Sequence, residues 1–70
     1  MMITVMMPAY NEERDLPGLL ERTRAALDGW ARYRILIVDD GSRDRTAEIA
    51  LEAAQRMPVE LIRHPHNMGL

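Results

Sequence analysis

Three short apolar runs, each closed by turn-forming residues, frame this chain. They are residues 3–7 before Pro8, residues 33–38 before Asp39-Asp40-Gly41, and residues 59–63 before His64-Pro65. Continuous runs of this length fit strands buried on both faces. Between the first two, apolar residues recur at Leu16, Leu19, Leu20, Leu27 and Trp30, with Thr23 and Ala26 in the same stripe. That spacing is helical, and acids and Arg fill the other side. Asp15 can cap this helix, Pro17 is tolerated in its first turn, and Gly29 is a natural stop. In the second interval Ala47, Ala50, Leu51 and Ala54 share a stripe after a cap at Ser42 or Asp44, and Pro58 blocks continuation past Met57. The order β-α-β-α-β predicts parallel strands with right-handed crossovers, the half-unit of a doubly wound α/β sheet. The carboxyl ends of such strands share one edge, where ligands bind. Residues 8–13, 39–44 and 64–69 are therefore expected to converge there.

Composition narrows the chemistry. The 70 residues carry a net charge of −2, with no basic stripe of the kind that nucleic acid requires. All nine cations are Arg, so neither a P-loop nor a Schiff-base lysine exists within these residues. There is no Cys, which excludes disulfides and thiolate zinc sites. Phe is absent, so the core must be aliphatic, with Met and Ala as filler. No apolar stretch approaches the roughly 18 residues of a membrane span, and the N-terminal run is too short for a signal peptide.

The three loops hold the unusual residues. Residues 8–13 lack the G-x-G-x-x-G of a dinucleotide site. They offer instead the Tyr10 ring, which can lie against a base or ribose, an amide at Asn11, and carboxylates at Glu12 and Glu13. A plainer account is that Asn11 and the acids favour the positive end of the next helix. Asp39 and Asp40, adjacent at a strand end, are expected to repel each other and lose solvation. A ligand site explains them, because a carboxylate can accept the imide N–H of uracil, the N1–H of guanine or two ribose hydroxyls. Asp40 or Ser42 starting an Asx-type turn, with Asp44 as the helix cap, is the plainer account, and it leaves Asp39 unexplained. In residues 64–69, backbone N–H groups near Gly69 could face a diphosphate. His64 and His66, two apart across a proline, make a poor metal pair. Glu13 and Asp15 read as capping residues.

V-M-M-P-A-Y-N-E-E (5–13), I-V-D-D-G-S-x-D-x-T (37–46) and H-x-x-N-x-G (64–69) together resemble the start of the family 2 glycosyltransferases. These are inverting enzymes of the GT-A fold that include polyprenyl-phosphate sugar transferases. The resemblance implies that residues 1–70 are the N-terminal nucleotide-sugar-binding portion of such a domain. Pro8, Ala9, Tyr10 and Glu12 would line the nucleotide pocket, Asp39 would hold the base with Asp40 beside it, and Asn67 and Gly69 would approach the ribose or diphosphate. The implied donor is a UDP- or GDP-linked sugar, and the implied acceptor a polyprenyl phosphate or a glycan. The family's Mg²⁺ or Mn²⁺ would be held by a D-x-D motif on a later strand, which, like the general base, lies outside these residues. The 70 residues alone are accordingly expected to be inactive. In the family's strand order the first strand is interior, so these residues alone would leave it an open edge. The sugar-nucleotide pool implies a cytoplasmic location, with membrane association through segments outside these residues.

Two other readings compete. One is a nucleotide-binding module without catalysis. The other is a phosphoacceptor receiver domain, which R-I-L-I-V-D-D (34–40) resembles. In that fold the acidic pair follows the first strand rather than the second, and P-A-Y-N-E is left without a role.

Overall fold

The computed structural model describes residues 2–64. Strand β1 (Met2–Ala9), helix α1 (Leu16–Leu27), strand β2 (Arg32–Asp40), helix α2 (Thr46–Ala53) and strand β3 (Val59–His64) follow one another along the chain. The strands form one parallel sheet in the order β1-β2-β3. Consecutive right-handed crossovers that step in one direction put both helices on the same face. The core confirms this: Met7, Ala9, Tyr33, Ile35, Ile37 and Val59 from the strands meet Leu16 and Leu20 of α1 and Ala50 and Ala53 of α2. Ile35 and Ile37 are fully excluded from solvent. Each contributes roughly 1.5–3 kcal/mol by that burial.

One-sided coverage corrects the expectation for the first strand. Side chains alternate across the pleat, and in β1 only one set is covered. Met7 and Ala9 are buried, whereas Thr4, Met6 and Pro8 face outward. An apolar run therefore did not mean burial on both faces among the described residues. β1 also continues through Pro8 to Ala9. A proline is tolerated there because β1 is an edge strand of the described sheet.

The helices differ in detail from their sequence pattern. Leu16 and Leu20 anchor α1, while Leu19 and Trp30 are exposed. Asp15 occupies the N-cap position without a side-chain cap bond; the Glu12 carbonyl accepts the Asp15 and Leu16 N–H groups instead. At the other end Asp28 is the C-cap, and Gly29 follows in the left-handed region at φ 76°. The Tyr33 hydroxyl donates to Asp28 at 2.6 Å, tying this end of α1 to β2. That bond, with burial second, raises the Tyr33 pKa. Helix α2 ends at Ala53 rather than near Met57, and its buried stripe is Thr46, Ala47, Ala50 and Ala53. Leu51 and Ala54, expected on the inner stripe, point outward. The helix is thus rotated by about one position, presenting its smallest side chains to the sheet and letting its backbone lie close.

No described helix is long and apolar enough to cross a membrane. Ile37→Ala is expected to lower the unfolding free energy by about 2–5 kcal/mol, by loss of transfer energy plus a cavity. Leu51→Ala should change it by less than about 0.5 kcal/mol. Denaturant titration of the two variants checks both the core assignment and the rotation of α2.

Candidate nucleotide site at the carboxyl edge of the sheet

Parallel register fixes what meets at the sheet edge. Ala9 lies beside Asp39, Asp39 beside Arg63, and Asp40 beside His64. The first two loops consequently leave the sheet at the same height and side by side, so Tyr10 and Asp39 belong to one rim as the sequence implied. Asn67 and Gly69 lie outside the described residues.

The loops are stitched together by four hydrogen bonds between side chains and main chain. The Asn11 N–H donates to Ser42 Oγ at 2.8 Å, and the Arg43 N–H returns a bond to Asn11 Oδ1 at 2.9 Å. The Glu12 N–H donates to Thr46 Oγ1 at 2.8 Å, and the Glu13 N–H to Asp44 Oδ2 at 3.2 Å. Asn11 adopts φ 52°, a left-handed conformation that Asn tolerates better than other non-glycine residues. Its side chain therefore locks the neighbouring loop, a role the helix-dipole account did not contain. Gly41 turns the second loop at φ 79°.

Asp44 closes this clasp. Its Oδ1 accepts the Thr46 N–H at 2.9 Å and also the Thr46 hydroxyl, so Asp44 caps the start of α2 as expected. Burial alone would raise the Asp44 carboxyl, but the Thr46 and Glu13 hydrogen bonds outweigh it and hold the group below its ordinary 3.8.

The two adjacent carboxylates do not form a pair. Successive strand residues point to opposite faces, and Asp39 and Asp40 have separate partners. Asp40 Oδ1 lies 3.2 Å from His64 Nδ1. Asp39 is fully buried, and its Oδ1 accepts the Ser42 N–H at 3.0 Å. Asp39 itself thus starts the turn that the sequence reading gave to Asp40 or Ser42. Its other oxygen, Oδ2, is buried without a hydrogen bond, and the Arg63 Nε lies 3.4 Å away. One oxygen of the carboxylate fastens the turn; the other faces the Arg63 guanidinium without a hydrogen bond.

The remaining expected site residues are divided. Pro8, Ala9 and Glu12 share a small cleft with Asp15 and Leu16 along the β1 edge. Ala9 is packed into the core, and Tyr10 is exposed on the rim. A larger cleft lies elsewhere, between α1 and α2, floored by Leu20, Ile49, Ala53 and Met57. It shares Glu13 and Arg45 with the loops at the strand ends but holds none of the residues expected to line the nucleotide pocket. Sequence reasoning missed Thr46 and Arg63. Counting register outward from Ile35 beside Val59 would have placed Arg63 next to Asp39.

Because the folded-state Asp44 value is depressed, its contribution to stability is present above the ordinary value and is lost as pH falls below it. Thermal midpoints measured from about pH 6 down to about pH 2.5 should therefore fall, and Asp44→Asn should flatten that acid limb. Thr46→Val removes the acceptor of the Glu12 N–H and should cost about 1–3 kcal/mol in unfolding free energy.

The family model for glycosyl transferase family 2 matches residues 4–70. A dolichyl-phosphate beta-glucosyltransferase, ALG5D, of Trichomonas vaginalis is 43% identical over 74 residues, covering 96% of this chain and 23% of that protein. An undecaprenyl-phosphate 4-deoxy-4-formamido-L-arabinose transferase of Edwardsiella ictaluri is 54% identical over 55 residues, covering 77% of this chain and 17% of that protein. The crystal structure of S. aureus TarS 1–349 superposes with a TM-score of 0.85 at 25% identity, covering 99% of this chain and 20% of that one. The chain thus spans about a fifth of the length of the proteins it matches. With the motifs at 5–13 and 37–46 on adjoining loops of a GT-A-type parallel sheet, and the family model running from Thr4 to the last residue, this chain belongs to glycosyltransferase family 2.

Proposed function

We propose that these residues are the nucleotide-recognising part of an inverting glycosyltransferase whose donor is a UDP- or GDP-linked sugar. The observation that carries the reading is Asp39 Oδ2, a buried acceptor without a hydrogen bond at the carboxyl edge of the sheet. Uracil N3–H and guanine N1–H are donors of the required kind, and a charge-assisted bond to a desolvated carboxylate is among the stronger neutral-to-ion contacts. Tyr10, half-exposed on the same rim, offers a ring face to the base or ribose. Pro8, Ala9 and Glu12 border it, Asp40 stands on the other face of the strand, and Asn67 and Gly69 are assigned to the ribose or diphosphate side.

In the proposed reaction an acceptor oxygen bonds to the sugar's anomeric carbon from the face opposite the diphosphate. The bond from that carbon to the diphosphate oxygen breaks, the nucleoside diphosphate leaves with the electron pair, and configuration inverts. A hydroxyl acceptor passes its proton to a general base that we place outside these residues, whereas a phosphate acceptor attacks through an oxygen that is already ionised. The names of the similar dolichyl- and undecaprenyl-phosphate transferases favour a polyprenyl phosphate as acceptor. A cytoplasmic site of action at a membrane surface fits that acceptor.

A divalent cation, bound at the diphosphate, would neutralise the leaving group. The described residues do not fit it. No three His, Asp or Glu side chains come together among them, and Asp39 and Asp40 diverge to opposite faces. Its ligands are assigned to the rest of the domain, and no step is routed through it.

Asp39→Asn tests the base contact with little change of shape. The amide oxygen can still accept the Ser42 N–H, while the amide nitrogen presents a donor to the ligand's donor. UDP or GDP affinity, measured by calorimetry, should fall roughly tenfold or more, with CDP affected less. Unchanged affinity for all three in a folded variant would remove the base-recognition role.

A further inference from the structure

We propose that Arg63 is an exchangeable counter-ion, holding the ligand's place at Asp39 in the empty protein and turning to the ligand's phosphate once displaced. The inference rests on the base-recognition reading above and adds a second ligand contact to it.

Four observations support the exchange. Asp39 Oδ2 accepts no hydrogen bond, and Arg63 is the cation beside it. The contact is a poor one: Nε stands 3.4 Å away and makes no hydrogen bond, whereas a charge-assisted N–H···O bond closes to roughly 2.7–2.9 Å and Arg binds carboxylates best through two parallel bonds. A ligand N–H at proper distance therefore gains what the guanidinium leaves unsatisfied. The partners are also unequally held, since Asp39 is 0% exposed and the Arg63 side chain 56% exposed. The carboxylate is fixed by its turn, and the arginine is free to swing through its side-chain torsions alone.

Charge decides where the displaced guanidinium goes. Glu12 and Glu13 stand on the first loop and Asp39 and Asp40 at the end of β2, and a nucleoside diphosphate brought among them meets repulsion. Arg63 sits at the end of β3 in register with Asp39, so the cation that leaves Oδ2 stays within reach of whatever extends from the bound base. The swap keeps every charge partnered: ligand N–H on the carboxylate, guanidinium on phosphate. A planar fork of donors suits phosphate for the same reason that it suits carboxylate.

The test compares nucleoside with nucleoside diphosphate in the natural full-length protein. Calorimetric affinities of uridine, guanosine, UDP and GDP are measured for the parent, Arg63→Gln, Arg63→Lys and Asp39→Asn. Arg63→Gln should weaken UDP or GDP roughly tenfold while leaving the matching nucleoside equal or tighter, so that the preference for the diphosphate shrinks. Arg63→Lys, which keeps the charge, should recover part of that preference. Equal weakening of nucleoside and diphosphate would make Arg63 only a support for Asp39 and overturn the proposal, as would no change in either. Should Arg63→Gln fail to fold, the salt dependence of the parent decides. Diphosphate binding that weakens with salt no more than nucleoside binding overturns the proposal. The base reading fails separately, if Asp39→Asn binds the nucleosides as the parent does.

Discussion

Parallel pairing of β1 with β2 is the constraint from which the rest of this molecule follows. Eight residue pairs, from Met2 beside Arg32 to Ala9 beside Asp39, leave the two strand ends level. A shift of one residue would turn every side chain to the other face. It would bring Asp39 out from the covered side and separate Asn11 from Ser42. The apolar set Met7, Ile35 and Ile37 holds the register, because only this alignment buries them under the helices. Core and site are thus specified by the same residues.

Above the sheet edge, short polar side chains take over the work that regular structure does below it. Ser42, Asp44 and Thr46 receive main-chain N–H groups from the first loop, and Asn11 receives one from the second. The bonds run in both directions, so neither loop can move without unsatisfying donors on the other. Asp39 joins the two layers of this scheme. One oxygen fastens the turn at Ser42, and the turn in return fixes the direction of the other oxygen. The loops are thus held by short, mutually bonded side chains, while the Arg63 side chain beside Asp39 is more than half exposed.

Much of this was legible in the sequence, and the misses have physical causes. The alternation of apolar runs and helical stripes gave the element order, and the motifs gave the loops, because local patterns encode both. The rotation of α2 was not legible: Ala47, Ala50, Leu51 and Ala54 and the observed Thr46, Ala47, Ala50 and Ala53 are both helical stripes, and packing distance rather than period chose between them. The exposed face of β1 was hidden for a similar reason. An apolar run reports what a surface can bury, not what covers it. Asp39 and Asp40 looked like a repelling pair because one-dimensional adjacency conceals the pleat that separates them. Arg63 was invisible as a partner until register supplied it, since 23 residues lie between it and Asp39 along the chain.

The outward face of the sheet, where Val38 and Asp40 are buried but its margins are not, carries a thermal consequence. Met2, Met6 and Ile62 stay in water with the described residues folded. Melting such a layer newly hydrates less hydrocarbon per residue than melting a sheet covered on both sides. The heat-capacity increment should then lie below the usual ~12–15 cal/mol/K per residue. A small increment bends the free-energy curve gently, so these strands would lose cohesion slowly with warming and with cooling alike.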